Sequence, residues 1–151
     1  IPLVDQDEVQ LGISGGEPTL LGDDLAAIIL QAKIFLPRTG LHILTNGRIF
    51  EDGSVCQVYS GVHHPNLRWG IPLYSCVPST HDYIVQADGA WQQTVAGLYN
   101  LARHDAYVNM FPIDTLFESL QRRKTLSQPK CKHIMRRYSL KKEIIMMKDR
   151  R

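Results

Sequence analysis

Four short apolar segments, each followed by a polar turn, constrain the fold of this chain more than any other feature. They start near residues 9, 41, 69 and 106, and segments with helical periodicity lie between them. This alternation is typical of successive βα units, whose strands form a parallel sheet. The predicted strands are Val9–Ile13, Leu41–Leu44, Trp69–Leu73 and Ala106–Pro112. The sequence therefore predicts an α/β fold with four parallel strands and helices on the outer face.

Two helices are predicted within the first half of the chain. The first takes Asp23 as its N-cap, carries apolar residues at helical spacing as far as Phe35, and ends before Pro37. The second, at about residues 51–60, has a weaker pattern because Gly53 opposes a helix.

A third helix is predicted at Ala90–Arg103, and we expect Trp91 and Tyr99 in the core. The apolar face of this helix consists of Trp91, Val95, Leu98, Tyr99 and Ala102. The preceding residues are rich in Pro, Ser, Thr, His and Asp, and this composition predicts a loop. Within that loop we expect Asp82 to accept local hydrogen bonds.

The first polar turn holds the residues best suited to binding a ligand. Gly15 and Gly16 allow a ligand to approach the backbone closely, and Glu17 adds a fixed negative charge. Pro18 keeps the residues before it extended. Because ligands of parallel sheets bind where the carboxyl ends of the strands open into loops, we expect a ligand site at this turn.

Two familiar motifs fit this turn poorly. Gly12–Gly16 matches the G-x-S-x-G pattern of serine hydrolases, in which a helix begins directly after the serine. Here Glu17 and Pro18 intervene, and the helix is predicted to begin only near Asp23. A phosphate-binding P-loop is weaker still, because no Lys-Ser or Lys-Thr pair follows the glycines.

A third interpretation explains Glu17. The run Ser14–Leu20 resembles the Gly-Gly-Glu-Pro motif of radical S-adenosylmethionine enzymes, and Leu44–Gly47 resembles the Thr-Asn-Gly turn of the same family. The resemblance implies a partial βα barrel in which the first turn holds the methionyl amino group of S-adenosylmethionine. The cofactor-binding residues that it implies are Gly15, Gly16, Glu17, Pro18, Thr45 and Asn46.

A narrower resemblance covers about residues 10–104. The runs Gly70–Ser75, His81–Ala87 and Thr94–Arg103 resemble the radical S-adenosylmethionine maturase of the His-Xaa-Ser system, its C component. This resemblance implies a small peptide substrate with His-Xaa-Ser repeats and a partner maturase. Relatives place a cofactor-holding serine at the end of the third strand, so Tyr74 and Ser75 join the expected cofactor site.

The chain also departs from that family. Its three cysteines, at positions 56, 76 and 131, lack the CxxxCxxC spacing whose thiolates hold a four-iron four-sulfur (4Fe-4S) cluster. We therefore expect neither metal ligands nor catalytic residues in this chain, and no cleavage of S-adenosylmethionine by it alone. A fragment of a maturase, with the cluster loop upstream, is favoured over a complete but non-catalytic relative.

Charge divides the chain into two parts. Residues 1–118 contain 5 Lys and Arg and 13 Asp and Glu, a net charge of −8, whereas residues 119–151 contain 12 and 2, a net charge of +10. We expect a βα domain at 1–118 and a basic tail at 119–151 that is irregular or frame-shifted. The tail could bind nucleic acid, with Tyr138 available for stacking, but this is the less favoured interpretation. A binding module for S-adenosylmethionine or nucleic acid is the alternative function.

The sequence also lacks membrane signals. No apolar run approaches the roughly 20 residues of a membrane helix, and no basic segment followed by a hydrophobic one opens the chain. We expect a cytoplasmic protein that does not enter a membrane.

Overall fold

A four-stranded parallel sheet lies at the centre of the fold in the computed structural model, which describes residues 9–112. The strands follow their chain order across the sheet. Their bounds are β1 Gln10–Ile13, β2 Gly40–Leu44, β3 Leu67–Leu73 and β4 Tyr107–Pro112. The predicted α/β class with four parallel strands is confirmed. The predicted basic tail and its boundary at residue 118 lie outside the described residues.

Four helices connect the strands. One helix follows β1, one follows β2, and two lie between β3 and β4. Their bounds are α1 Asp23–Phe35, α2 Gly53–Val62, α3 Pro78–Val85 and α4 Ala90–Arg103. Short 3₁₀ helices, Pro18–Leu21 and Arg48–Glu51, follow the polar turns that end β1 and β2. None of the helices in the described part of the chain combines the length and the apolar character needed to span a bilayer.

The start of α1 differs from the prediction. Gly22, with a left-handed φ of 52°, is the N-cap, and no side chain caps the helix. Asp23 instead lies in the first turn with Asp24, where carboxylates interact favourably with the helix dipole. The prediction of Asp23 as the N-cap is wrong because the glycine allows the turn out of the preceding 3₁₀ helix.

The predicted loop before α4 is also wrong over most of its length, because residues 78–85 form α3. Pro78 lies in the first turn of α3, where its fixed φ and missing N–H favour a helix start. The helix ends at Val85, and its C-cap is Gln86, which has a left-handed φ of 55°. The prediction for Asp82 is confirmed, since its carboxylate accepts hydrogen bonds from the Gly89 N–H at 2.8 Å and the Trp91 N–H at 2.7 Å.

Three aromatic side chains pack together beside the sheet. Phe50 and Trp69 are fully buried and meet edge to face with ring centroids 4.9 Å apart. Tyr59 of α2 contacts both, at 6.0 Å from Phe50 and 5.2 Å from Trp69. Such pairs contribute about 0.5–1.5 kcal/mol beyond the area that they bury. This cluster ties α2 and the 3₁₀ helix after β2 to the middle of the sheet.

The buried face of α4 agrees with the prediction only in part, at Val95 and Leu98. Thr94, Gly97 and Leu98 are buried, whereas Trp91 and Tyr99 are only half-buried. The Trp91 indole N–H donates to the Ser75 carbonyl at 3.1 Å. The prediction that both aromatic residues belong to the core is therefore wrong, because α4 packs through its small residues against the turn after β2.

Candidate functional site

A cavity of about 720 Å³ opens at the carboxyl ends of β1, β2 and β3. Its volume lies within the range of about 300–1,000 Å³ that is typical of ligand pockets. Most of the predicted cofactor-binding residues line it: Gly15, Gly16, Glu17, Thr45, Asn46 and Tyr74. The polar turns that the sequence places 28 or more residues apart therefore meet at one site.

The double glycine faces open space. Gly15 has a φ of 106° and Gly16 a φ of 53°, both in the left-handed region that side chains disfavour. A Cβ atom built on either residue would meet no heavy atom within 4 Å. The protein therefore uses glycine here for the shape of the turn and leaves its backbone accessible from the cavity.

Glu17 links the two polar turns. Its Oε1 atom accepts hydrogen bonds from the Thr19 hydroxyl at 2.7 Å, the Thr19 N–H at 3.2 Å and the Thr45 hydroxyl at 2.6 Å. Its Oε2 atom accepts one from the Asn46 N–H at 2.8 Å. The carboxylate therefore joins the two turns, and Oε2, with a single donor, retains an acceptor position for a ligand.

The turn after β2 satisfies its own polar groups. The Thr45 hydroxyl, in a residue that is only 4% exposed, accepts the Gly47 N–H at 3.1 Å. The Asn46 side-chain oxygen accepts the Arg48 N–H at 2.9 Å. Gly47 takes a left-handed φ of 75°. Short polar side chains that bond to the backbone two residues on are typical of tight turns, and they hold this one in a single shape.

Helix α4 supports that turn from the other side. The Thr94 hydroxyl donates to the Asn46 carbonyl at 3.1 Å. A Cβ atom built on Gly97 would lie 2.3 Å from the Gly47 carbonyl oxygen, so the two backbones are in direct contact. The Asn100 amide donates to the carbonyls of Phe50 and Glu51, both at 2.9 Å. The turn that holds Glu17 is therefore itself held by a helix from much later in the chain.

His81 and Tyr74 form a further wall of the cavity. The Tyr74 N–H donates to His81 Nδ1 at 3.3 Å, and the two rings lie 5.8 Å apart. His81 is 2% exposed, and burial lowers the pKa of its imidazole although Asp82 acts in the opposite direction. The ring is therefore neutral near pH 7, with Nδ1 as acceptor and the proton on Nε2.

Two predicted residues do not line the cavity. Pro18 is buried at the start of its 3₁₀ helix. The Ser75 hydroxyl accepts the Val77 N–H at 3.0 Å, which fixes the entry into α3. Both residues shape the loops around the site, and neither lies at its surface.

The sequence pattern missed Arg48, His81 and Thr94, which all line the cavity. Arg48 directly follows the Thr-Asn-Gly turn, and that position was the available signal. His81 and Thr94 reach the cavity only through the packing of α3 and α4, which no local pattern reports.

The described cysteine and histidine positions do not form a metal centre. Within residues 9–112, no three His, Cys, Asp or Glu side chains come close enough to hold a metal ion. Cys56 is a buried free thiol whose Sγ lies 3.8 Å from the Phe50 carbonyl. Burial, with a smaller contribution from Asp52, raises the pKa of this thiol to about 11, so it is protonated at neutral pH.

Comparison with known proteins adds no family assignment. No protein-family model matches the chain, and no curated protein is significantly similar to it. The function is therefore argued from the site itself.

Proposed function

We propose that this chain binds S-adenosylmethionine at the carboxyl ends of β1 and β2, as the cofactor-holding part of a radical S-adenosylmethionine peptide maturase with a partial βα barrel. One observation carries the proposal. The Glu17 carboxylate accepts hydrogen bonds from Thr45 and Asn46, so the Gly-Gly-Glu-Pro and Thr-Asn-Gly runs form one cluster on one cavity.

The chemistry of this cluster suits an ammonium group. An ammonium carries three donors and seeks a carboxylate and carbonyl oxygens. Glu17 Oε2 offers one acceptor position, and the exposed turn at Gly15 and Gly16 offers backbone carbonyls without side chains in the way. These residues fit the methionyl amino group that the family resemblance assigns to them.

The remaining cavity wall suits the larger part of the same ligand. Leu44, Pro72 and Val85 line it with apolar surface, and Tyr74 adds an aromatic side chain. Ligand pockets combine an apolar wall of this kind with a few placed polar groups. The site can therefore receive the polar end of the cofactor at Glu17 and its less polar remainder further in.

In the family that the sequence resembles, a 4Fe-4S cluster supplies the electron that cleaves the cofactor, and the resulting radical modifies a peptide substrate. The cysteine set that would hold such a cluster does not occur in this sequence. The residues of this chain bind and orient the cofactor. The substrate that we propose for the complete maturase is a small peptide with His-Xaa-Ser repeats, processed together with a partner maturase.

A non-catalytic module for S-adenosylmethionine is the second candidate, and it uses the same residues at Gly15 to Glu17. The proposed nucleic-acid surface falls on residues 119–151, outside the described part of the chain. The two candidates at the cavity make the same prediction for binding of the cofactor.

Isothermal titration calorimetry with S-adenosylmethionine tests the proposal. We expect one binding site in the native chain and at least about tenfold weaker binding in Glu17→Gln, since the neutral amide loses both the charge and an acceptor for the Asn46 N–H. Glu51→Gln is the matched control, because Glu51 is exposed on the other 3₁₀ helix and does not line the cavity. Absence of binding by the native chain, or equal losses in both variants, would contradict the proposal.

A further inference from the structure

Arg48 is held at the cavity wall by one hydrogen bond from its backbone and one from its side chain. Its backbone N–H donates to the Asn46 side-chain oxygen at 2.9 Å, and its Nε donates to Gln93 Oε1 on α4 at 2.6 Å. A hydrogen bond at Nε restricts the orientation of the planar guanidinium, so the directions open to its remaining donors are narrowed before a ligand arrives. Holding a long, flexible side chain in one position costs rotamer entropy.

The terminal nitrogens of the same guanidinium have no partner among the residues that the structure describes. Of the five N–H donors of an arginine, only the one on Nε is used, and within residues 9–112 no hydrogen bond or ion pair reaches the other four. Because the guanidinium is half-buried and pairs with no carboxylate within residues 9–112, an anionic ligand is the partner that best suits its terminal donors.

No ion pair joins Arg48 to the acidic residue of the cavity. Glu17 supplies the single carboxylate among the lining residues in the described part of the chain, and its oxygens are engaged by Thr19, Thr45 and Asn46. The cavity therefore carries a negative group on the turn after β1 and a positive group on the turn after β2. A ligand that matches both must carry an ammonium and an anion.

We infer that Arg48 binds the carboxylate of the cavity's ligand through its two terminal nitrogens, with Gln93 as the residue that positions the guanidinium. The inference rests on the proposed function and deepens it, because it adds recognition of an α-amino-acid carboxylate to recognition of the amino group. Two parallel N–H donors match the two oxygens of a carboxylate, so the pair selects for geometry as well as for charge.

The test compares two ligands that differ only in the carboxylate, S-adenosylmethionine and its decarboxylated analogue, by isothermal titration calorimetry. The native chain should bind S-adenosylmethionine about 10- to 100-fold more tightly, since a hydrogen-bonded charge pair of this kind contributes a factor of that order. Arg48→Gln should bind both compounds with equal affinity, while Arg103→Gln, at an exposed position at the end of α4, should keep the native preference.

The outcomes separate the inference from the proposed function. If the native chain binds both compounds equally, the role of Arg48 is contradicted while the amino-group site stands. If it binds neither, both proposals are contradicted. The comparison in the native chain does not depend on the folding of any variant.

The variant Gln93→Ala tests the positioning role of Gln93. It should lower the preference for the carboxylated ligand several-fold, because the guanidinium then loses its hydrogen bond at Nε. An unchanged preference would contradict the positioning role.

Discussion

The turns that end β1 and β2 use glycine in opposite ways. Both hold glycine with a left-handed φ, at Gly15 and Gly16 in the first turn and at Gly47 in the second. A Cβ atom on either residue of the first turn would meet nothing within 4 Å, whereas one on Gly47 would lie 2.9 Å from the Ile71 side chain. The first turn is open to the cavity, and the second is packed between β3 and α4.

This difference assigns a separate role to each turn. The open turn leaves its backbone accessible, which suits a ligand that contacts main-chain atoms. The packed turn carries Thr45 and Asn46 as donors to Glu17, and its rigidity fixes the carboxylate. Substitutions in the packed turn should therefore act mainly on stability, and those in the open turn mainly on binding.

The largest effect is expected from Gly97→Ala, which inserts a methyl group 2.3 Å from the Gly47 carbonyl oxygen. Because the methyl group would meet a backbone carbonyl that cannot rotate away, relief requires α4 to move away from the packed turn, and we expect a loss of about 3 kcal/mol or more in the free energy of unfolding. Urea denaturation measures it. The matched control is Gly61→Ala in α2, which meets nothing within 4 Å and should be neutral or stabilising by up to about 1 kcal/mol. Equal effects in the two variants would contradict the packed interface.

Thr45→Val should cause the second largest loss of stability. The substitution preserves shape but removes the hydroxyl that donates to Glu17 Oε1 at 2.6 Å and accepts the Gly47 N–H at 3.1 Å. Leaving these groups unpaired should cost about 1–3 kcal/mol of stability, measured by thermal or urea unfolding. Thr80→Val, on α3 and away from the cavity lining, is the comparison. A loss no larger than that of Thr80→Val would show that the Glu17 contact is not needed to hold the packed turn.

Gly16→Ala, in the open turn, should weaken ligand binding more than it lowers stability, unlike the substitutions in the packed turn. Its left-handed φ of 53° costs an alanine about 1–2 kcal/mol, yet no atom opposes the new methyl group. We expect this modest loss of stability together with at least about tenfold weaker binding of S-adenosylmethionine, since the methyl group borders the cavity. Unfolding curves and calorimetry on the same sample measure both. Native affinity in this variant would remove the open turn from the binding site.

A smaller, pH-dependent effect is expected at His81, which joins the wall of the cavity. Burial lowers the pKa of its imidazole below the ordinary value of 6.5, so between the two values the unfolded chain binds a proton that the folded chain does not. Stability should therefore fall as the pH decreases below about 6.5, by at most about 1.4 kcal/mol per pH unit from this group. His81→Asn, which keeps an acceptor for the Tyr74 N–H, should have a flatter dependence between pH 6.5 and 5. An identical pH profile in the variant would contradict the assignment.

Local patterns in the sequence predict the sheet well. Apolar runs such as Leu41–Leu44 and Trp69–Leu73 are bounded by glycine or polar residues, and they lie within two residues of the observed strands. The loop prediction before α4 failed because a proline is as compatible with the first turn of a helix as with a loop, and Pro78 lies in the first turn of α3. The end of α3 is marked by the left-handed backbone of Gln86, which the residue type does not predict.

The residues of the candidate site also fall into those that a local sequence pattern predicts and those that it does not. Gly15, Gly16 and Glu17 are visible in the sequence because a glycine pair and a carboxylate interrupt an apolar run. Arg48 follows the Thr-Asn-Gly turn, but no local pattern reports its contact with Gln93, 45 residues away, on which its proposed role depends. Residues that reach the cavity through helix packing leave no local signal, whereas those at strand ends do.

The most direct test of the open turn as a ligand site is an NMR titration of the labelled chain with S-adenosylmethionine, which follows each backbone amide. We predict saturable shifts at Gly15, Gly16 and Asn46, which line the cavity, and unchanged resonances at Gly61 on α2. Shifts confined to amides away from the cavity, or no shifts at any ligand concentration, would contradict binding at the double-glycine turn.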